Sequence, residues 1–439
     1  MQDLEADVLV CGGGVAGTIA AVAAARHGAR VVLVERYGFL GGNATAGAVA
    51  QFNSWQTAGG RRVVAGLASE VVERLQRYGG AREHHAFVMS TGHRMDRVEY
   101  APEVLKLVFD DMVSESGVQA LLHATLLDVH TTSVIPAKAG SHDPAPRSIA
   151  SIRVLTKGGL LAVRPRVLID ASGDMDALRL AGARFLALED GEALQPATMM
   201  FRFGPIDFER FDRLTAAELA TLSRRGFEQG ALARAALHLA RDPFTNDGWF
   251  NISRLGIDAT DPLALGRAEI EGRRQAWKAA QYLRAQVPGC AGGRLLAFGT
   301  QVGVRETRRV EGDHVLTAEE LLRPVRFDDA IAAGAYPIDI HPAAGGELEY
   351  AGLADDHAYQ IPYRSLVPAG LANVLAAGRG VSATHKALAA IRVMTISMAV
   401  GQAAGTAAAM AAARHEGEVR RVEIRNLREA LAKDGACLQ

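Results

Sequence analysis

Gly12, Gly14 and Gly17 stand between an apolar run that opens at Val8 and an alanine-rich run that reaches His27. Glycines in that pattern suit a ligand carrying a pyrophosphate. The first permits a tight turn, the second lets backbone approach the phosphates at a helix N-terminus, and the third lets helix and strand pack closely. Val15 and Ala16 fall in the first turn of that helix. A second apolar run, Val31 to Val34, ends on Glu35, whose carboxylate accepts hydrogen bonds from a ribose hydroxyl, and Arg36 follows it. Strand, glycines, helix, strand and acid occur in the order that a dinucleotide clamp requires.

A second concentration of chemistry lies in Gln301-Val-Gly-Val-Arg-Glu-Thr-Arg-Arg309, where three guanidinium groups surround Glu306. Guanidinium forks suit carboxylate or phosphate. An extended backbone would put Arg305, Thr307 and Arg309 on one face and Arg308 on the other. Internal ion pairing and contact with a ligand are equal readings of this cluster. His341, Arg364 and His385 occur in short apolar segments punctuated by Pro or Gly, where charged side chains are seldom placed idly.

The elements that position these groups follow from local pattern. Arg36 to Gly47 is too glycine-rich for strand or stable helix, and its position after Glu35 places Gly41, Gly42, Asn43, Ala44 and Thr45 along the rest of a long dinucleotide. Val118 to Val134 reads as two short strands, with Leu126 among the ligand contacts. Ile149 to Thr156 and Leu160 to Val163 read as a hairpin around Gly158-Gly159. Arg166 to Asp170 reads as a separate buried strand whose end delivers Ala171, Ser172, Gly173 and Asp174 to the crevice where open α/β sheets bind ligands. Asn373 to Gly380 is a further strand and turn carrying Gly378 and Arg379. A helix beginning near Arg392, with Val393 and Met394, aims its positive dipole at whatever sits before it.

The remaining segments carry weaker signals. Ala65 to Arg77 and Pro102 to Ser116 have helical spacing, and the three histidines within Arg82 to His93 match no metal motif and read as solvated loop residues. Pro136 to Arg147 reads as a surface hairpin loop or insertion. From Glu189 to Pro288 the composition changes: Thr198 to Phe203 is a strand, Thr215-Ala-Ala-Glu218 a capping box, and Asp261-Pro262 opens a helix to about Gln286. The mixed charges of Arg267 to Arg284 read as a solvated face.

Composition sets outer bounds. The 439 residues are 49% apolar with net charge -1, so no basic field for nucleic acid or anionic membrane is evident. Cys11, Cys290 and Cys437 form no Cys-x-x-Cys pair, which removes the local signatures of a redox dithiol, a zinc site or an iron–sulfur cluster; no metal site is expected. Val393 to Ala413 carries no charge and spaces Gly401 and Gly405 like a packed membrane helix, but its Ala, Gly, Ser and Thr content suits a helix buried against a sheet. The first strand opens within ten residues of Met1, from which a cytoplasmic location is expected. The expected fold is α/β: a Rossmann-like domain formed by residues 1–188 and 299–439, with an inserted α+β cap over 189–298.

Taken together, Gly12-Gly-Gly-Val-Ala-Gly17, Phe39-Leu-Gly-Gly-Asn-Ala-Thr45, Leu168-Ile-Asp-Ala-Ser-Gly-Asp174, Val304 to Arg309, Ala376 to His385, Arg392-Val-Met-Thr395 and Gly401 to Thr406 resemble a known family. They are similar to the FAD-dependent oxidoreductases of the glutathione-reductase-type flavin fold, in the group neighbouring fumarate reductase and succinate dehydrogenase flavoproteins. The resemblance spans nearly the whole chain. It implies that the first motif holds ADP, that the second and last approach ribityl and isoalloxazine, and that a discontinuous cap covers the flavin. Two departures matter. Arg379 replaces the acid that contacts ribityl in many relatives, and no histidine lies in Gly38 to Gly47 to tether a flavin there, so non-covalent FAD is expected. The absence of paired cysteines disfavours the disulfide-reductase branch.

The implied activity is hydride transfer between flavin N5 and a small organic substrate, with an anionic group as the partner for arginine. Imidazole titrates near neutrality, which makes His341 and His385 the candidates for moving the proton, with a structural role the equal alternative for each. Arg305 and Arg364 are the candidates for the anionic group. A flavin monooxygenase or oxidase, and a flavin-binding subunit without its own substrate, are the competing readings. No second glycine fingerprint for NAD(P) is seen, and neither the electron partner nor the oligomeric state follows from the residues.

Overall fold

In the computed structural model, which describes residues 2–89, 91–133, 146–341 and 349–439, the chain is built on a seven-stranded sheet. Gln2–Cys11, buried and β-branched through its second half, lies between Val31–Val34 and Gly159–Asp170, parallel to both. Gln119–Leu121 extends one edge in parallel, and Arg147–Thr156 and Thr125–Ser133 extend the other antiparallel. Val374–Ala376 adds a parallel strand beside Gly159–Asp170.

Gly159–Asp170 corrects the expected separation into hairpin arm and buried strand, because both are one twelve-residue strand. Pro165 breaks the apolar pattern, and a strand interior disfavours its missing N–H. Here it falls where the strand changes partners. Gly159 to Val163 pairs with Arg147–Thr156, Leu168 to Asp170 pairs with Val374–Ala376, and Pro165 needs to satisfy only the Gln2–Cys11 side.

Two small-residue helices pack on this sheet. Val15–Arg26 is buried around most of its circumference, as its alanines allow, and Met394–Arg414 crosses it closely. A Cβ on Gly401 or Gly405 would lie 2.3 Å from Ala16 O or 2.1 Å from Ala20 O, so the glycines bring the two backbones into contact. Met394–Arg414 is long and apolar enough for a bilayer, but 83% of its most apolar window is buried inside the protein. Its small-residue spacing serves an internal helix pair.

A separate four-stranded antiparallel sheet orders Leu239–Arg241, Gly248–Phe250, Phe201–Gly204 and Arg294–Phe298. Phe201 and Phe250 stack at 5.5 Å in its core. The helix Ala216–Glu228 carries the complete Thr215/Glu218 capping box, and Pro262–Gln286 is capped by Asp261, whose carboxylate accepts from Leu263 N at 2.8 Å. The expected strand at Thr198 starts later, at Phe201, because Thr198 instead bridges to Gly303.

The histidine-bearing segment Arg82 to His93 is not a solvated loop. It belongs to the hairpin His85–Val88 and Arg94–Glu99, joined by Gln51–Asn53 into a third sheet, with His84 Nδ1 2.6 Å from Asp96 Oδ2. Of the expected insertion, residues 136–145 lie outside the described residues, and Arg147 opens a strand.

Candidate active site

The carboxyl ends of Gln2–Cys11, Gly159–Asp170 and Val374–Ala376 open into one groove, as expected where the partners of a parallel sheet diverge. Gly14 caps the helix Val15–Arg26 there, and a Cβ built on it meets no protein atom within 4 Å. That space is a cradle. Val15 and Ala16 line it beside the helix N-terminus, where backbone N–H groups and dipole receive phosphate. Gly17 acts differently, since its Cβ would fall 1.9 Å from Gly12 O; it sets the helix against the strand without reaching the groove.

Glu35 is buried, and its two oxygens accept from Gly13 N at 2.7 Å and Tyr37 N at 2.9 Å. Those bonds fix the carboxylate and leave each oxygen a second lone pair for a ribose hydroxyl. Arg36, Gly42, Asn43 and Ala44 line the groove, but Gly41 and Thr45 do not. Gly41 N donates to Gly13 O at 2.7 Å and Thr45 Oγ1 donates to Leu40 O at 2.6 Å, so both fold the loop rather than touch its contents. Across the groove lie Ala171, Ser172, Gly173 and Asp174. Their turn is held by Asp170, which accepts from Ser172 N, Ser172 Oγ and Leu178 N, and whose carboxyl burial pushes up to about 6. Leu126 lines an adjoining recess with Gly12, Glu35 and Ser172. Gly378 and Arg379 close the far side, where Arg379 Nη2 pairs with Asp174 at 3.0 Å. Tyr37, Gln301 and Ser397 also line the groove; the first two lie in stretches that the sequence singled out, but none was named as a contact.

A second cavity, of about 160 Å³, adjoins the groove and shares Asn43, Arg379, Arg392 and Met394 with it. Val393 also lines it. Its apolar lining is Phe87, Met89 and Met95 from the hairpin together with Met200. Its polar lining includes Arg97, Arg234, Arg305 and Arg392 with Tyr336, Asp339, His238 and His341, and the Arg97 guanidinium lies 3.3 Å from the centre of the Phe87 ring. Arg305 Nη1 donates to Pro196 O and to Thr198 Oγ1, and Arg392 Nη2 donates to Gln195 Oε1 at 3.0 Å. Neither has a carboxylate partner among the described residues.

The electrostatics are correspondingly lopsided. Burial, reinforced by Arg254, Arg392 and Arg234, holds Arg305 well below the usual guanidinium range. Burial and Arg234 bring Arg254 down to about 9. Guanidinium groups keep their protons in proteins, so the relief available to this cluster is a bound anion. The same charges act on the imidazoles. His238 is pushed down to about 3 by burial and by Arg234, and His341 falls well below its ordinary value through burial and Arg305.

His341 therefore faces the cavity as a neutral imidazole. Arg254 Nη2 lies 3.0 Å from its Nδ1 and can only donate, so Nε2 carries the hydrogen, 3.5 Å from Asp339 Oδ2. Tyr336 Oη donates to the same Oδ2 at 3.0 Å, while buried Asp339 Oδ1 has no partner among the described residues.

A family model described as FAD dependent oxidoreductase matches residues 7–431. The chain belongs to this family. It is an enzyme that uses FAD, and the residues of the groove built around Gly14 fit that cofactor: a cradle at a helix N-terminus, a fixed acid placed for a ribose and a small-residue turn. No curated protein matches the chain. Among solved structures, a geranylgeranyl bacteriochlorophyll reductase-like protein from Thermoplasma acidophilum is 13% identical, covering 99% of this chain and 85% of that one at a TM-score of 0.50. A p-nitrophenol 4-monooxygenase from Pseudomonas putida is 12% identical, covering 96% and 82%, at 0.43. At these identities the first likeness is one of fold.

Within this FAD-dependent oxidoreductase, two expected catalytic residues lie elsewhere. Arg364 is about half exposed and pairs with Asp329, its Nε 3.0 Å from Oδ2, away from both cavities. His385 is buried, with Nδ1 2.8 Å from Glu306 Oε2. The expected sharing of a face by Arg305 and Arg309 also fails. Residues 304–309 form irregular backbone, Arg305 enters the cavity, and Arg309 turns away to pair with Glu306 and the carbonyls of Ala383 and Ala187. Both readings of the cluster therefore hold, for different arginines. Sequence reasoning missed Arg97, Arg234, Arg254, Tyr336 and Asp339. The alternation Met95, Arg97 in an extended run was the one signal available.

Proposed function

We propose that this enzyme exchanges a hydride between flavin N5 and a small organic anion seated in the guanidinium-lined cavity. The observation that carries this reading is the continuity of cavity and cofactor groove through Arg379 and Arg392, combined with a cationic excess faced by the single buried carboxylate of Asp339. FAD supplies the redox chemistry, as hydride acceptor or donor. Arg305 and Arg392, oriented by Thr198 and Gln195, hold the anionic group of the substrate. The apolar wall of Phe87, Met89, Met95 and Met200 excludes water from its uncharged portion.

The chain's own proton carrier in this reading is Asp339 Oδ1, the unpartnered acceptor in the cavity. His341 Nε2–H and Tyr336 Oη hold the other oxygen and orient the carboxylate. His341 keeps a catalytic part as a neutral hydrogen-bond donor rather than as the acid. The cap over 189–298 and the kinship with fumarate reductase and succinate dehydrogenase flavoproteins belong to this proposal, as does non-covalent attachment of FAD.

The test is anaerobic. Titrating small carboxylates against purified enzyme should perturb the flavin spectrum, and a true substrate should bleach or restore it without oxygen. Rapid reoxidation on admitting air, with an oxygenated product, would replace this reading with a flavin monooxygenase.

A further inference from the structure

The geometry points to a membrane-facing surface: we propose that the outer face of the helix Pro262–Gln286 rests on an anionic lipid bilayer. This helix packs inward through Ala268, Gly272, Ala276, Ala279 and Leu283. Outward, Leu263, Ile270 and Trp277 are 72%, 51% and 53% exposed. Their seven-residue spacing puts them within a narrow sector of one face, along about 21 Å of helix. Isolated exposed apolar residues are ordinary, but here three large ones line up on one face of a single helix.

The charges of the helix are sorted around that stripe. Arg267, Arg274 and Lys278 are exposed on one flank, Arg273 and Arg284 on the other. The helix has two acids, Glu269 and Glu271, and both turn partly inward. Glu269 Oε1 accepts from Val302 N at 2.8 Å, and Glu271 Oε1 accepts from Gln275 Nε2 at 3.3 Å. Arg273 is the one flanking cation that keeps an acid partner among the described residues, Glu269 at 3.2 Å. In sequence the charges are mixed, which favoured a solvated face and no membrane contact; on the helix Arg267, Arg274, Lys278 and Arg284 have no acid partner among the described residues.

Charge complementarity chooses the occupant. A second copy of this face would set four unpaired cations against four, whereas anionic headgroups neutralise them. Apolar side chains with a tryptophan, bordered by long basic side chains, are arranged to sink into the headgroup boundary while the basic heads reach the phosphates.

Trp277 makes the proposal directly measurable. Trp55 is fully buried and Trp249 is 7% exposed, so Trp277 is the chain's exposed tryptophan and its reporter. Holoenzyme is mixed with phosphatidylcholine vesicles, or with phosphatidylcholine–phosphatidylserine vesicles, each with and without brominated acyl chains. Co-sedimentation with the anionic vesicles, a blue shift and bromine quenching that Trp277→Phe abolishes are expected, with weakening at high salt. Arg267→Glu and Arg274→Glu should each lower partitioning about fivefold or more per charge, since a basic residue near such a surface contributes about 1 kcal/mol. Ile270→Ser should lower it further, with flavin content unchanged. Three results would each overturn the proposal: no sedimentation with anionic vesicles, binding that these variants leave intact, or a concentration-dependent dimer in sedimentation velocity that Ile270→Glu dissociates.

Discussion

Gly14 and Gly17, three residues apart, should respond to substitution in opposite ways. Gly14 has φ -65° and ψ 177°, a conformation open to any L-residue, and its Cβ direction is empty to 4 Å. Gly14→Val should therefore leave the apoprotein within about 0.5 kcal/mol of wild type, as for a substitution that meets no neighbour. What it fills is the cradle. Wild-type protein in FAD at 100 times Kd gains about 2.7 kcal/mol from binding, and Gly14→Val should lose that whole increment. Gly17→Ala, with its Cβ 1.9 Å from Gly12 O, should destabilise the apoprotein itself by at least the 1–3 kcal/mol typical of overpacking. Chemical denaturation with and without FAD, read alongside flavin absorbance, separates the two. If Gly14→Val kept its yellow colour and its FAD-dependent shift, the groove would not be the cofactor site.

Four further outcomes follow. Arg305→Met should weaken binding of an anionic substrate about 10- to 150-fold, the range for losing one charge-assisted hydrogen bond, while flavin content holds; a flavin-monitored titration reads it. His341→Ala should slow substrate-dependent flavin reduction in stopped flow without releasing FAD, and unchanged kinetics would remove His341 from the mechanism. Glu306→Ala should cost about 3–5 kcal/mol in denaturation, because it strands buried Arg309 and His385, whereas Glu306→Gln should cost less. His238 and His341 take up protons in the unfolded chain below pH 6.5 but resist them when folded. His238 therefore removes up to about 1.4 kcal/mol of stability per pH unit as pH falls from 6.5 toward about 3, and His341 acts in the same direction. His238→Asn should flatten that slope, and an anion in the cavity should flatten it too.

The cofactor groove was legible because its logic is local. Gly12, Gly14, Gly17 and Glu35 sit on one strand–helix–strand unit, where spacing alone dictates proximity. The arginine cavity is assembled from residues 97, 234, 305 and 392, with Arg254 behind His341, from distant parts of the chain. Arg305 was found because it stands in a dense basic run, and Arg392 because it leads into a helix; Arg97, Arg234 and Arg254 were not. Arg364 misled because its partner, Asp329, lies 35 residues away and no local pattern announces the pair. His385 misled for the same reason, with Glu306 at 79 residues. Pro165 misled because a proline inside a long strand depends on what the neighbouring strands leave unpaired.

The backbone contact between Gly401, Gly405 and the helix Val15–Arg26 also joins two segments that are far apart in the order of synthesis. The segment that begins the cofactor groove leaves the ribosome early, while Met394–Arg414, which backs it and supplies Met394, emerges after most of the 439 residues have been made. At about 5–20 residues per second, the nascent Val15–Arg26 helix waits roughly 20–80 s for its partner. Throughout that interval its alanine face is uncovered and flavin has no complete seat. Because Met394 and Ser397 complete the groove lining, FAD is expected to load only after this helix has been made.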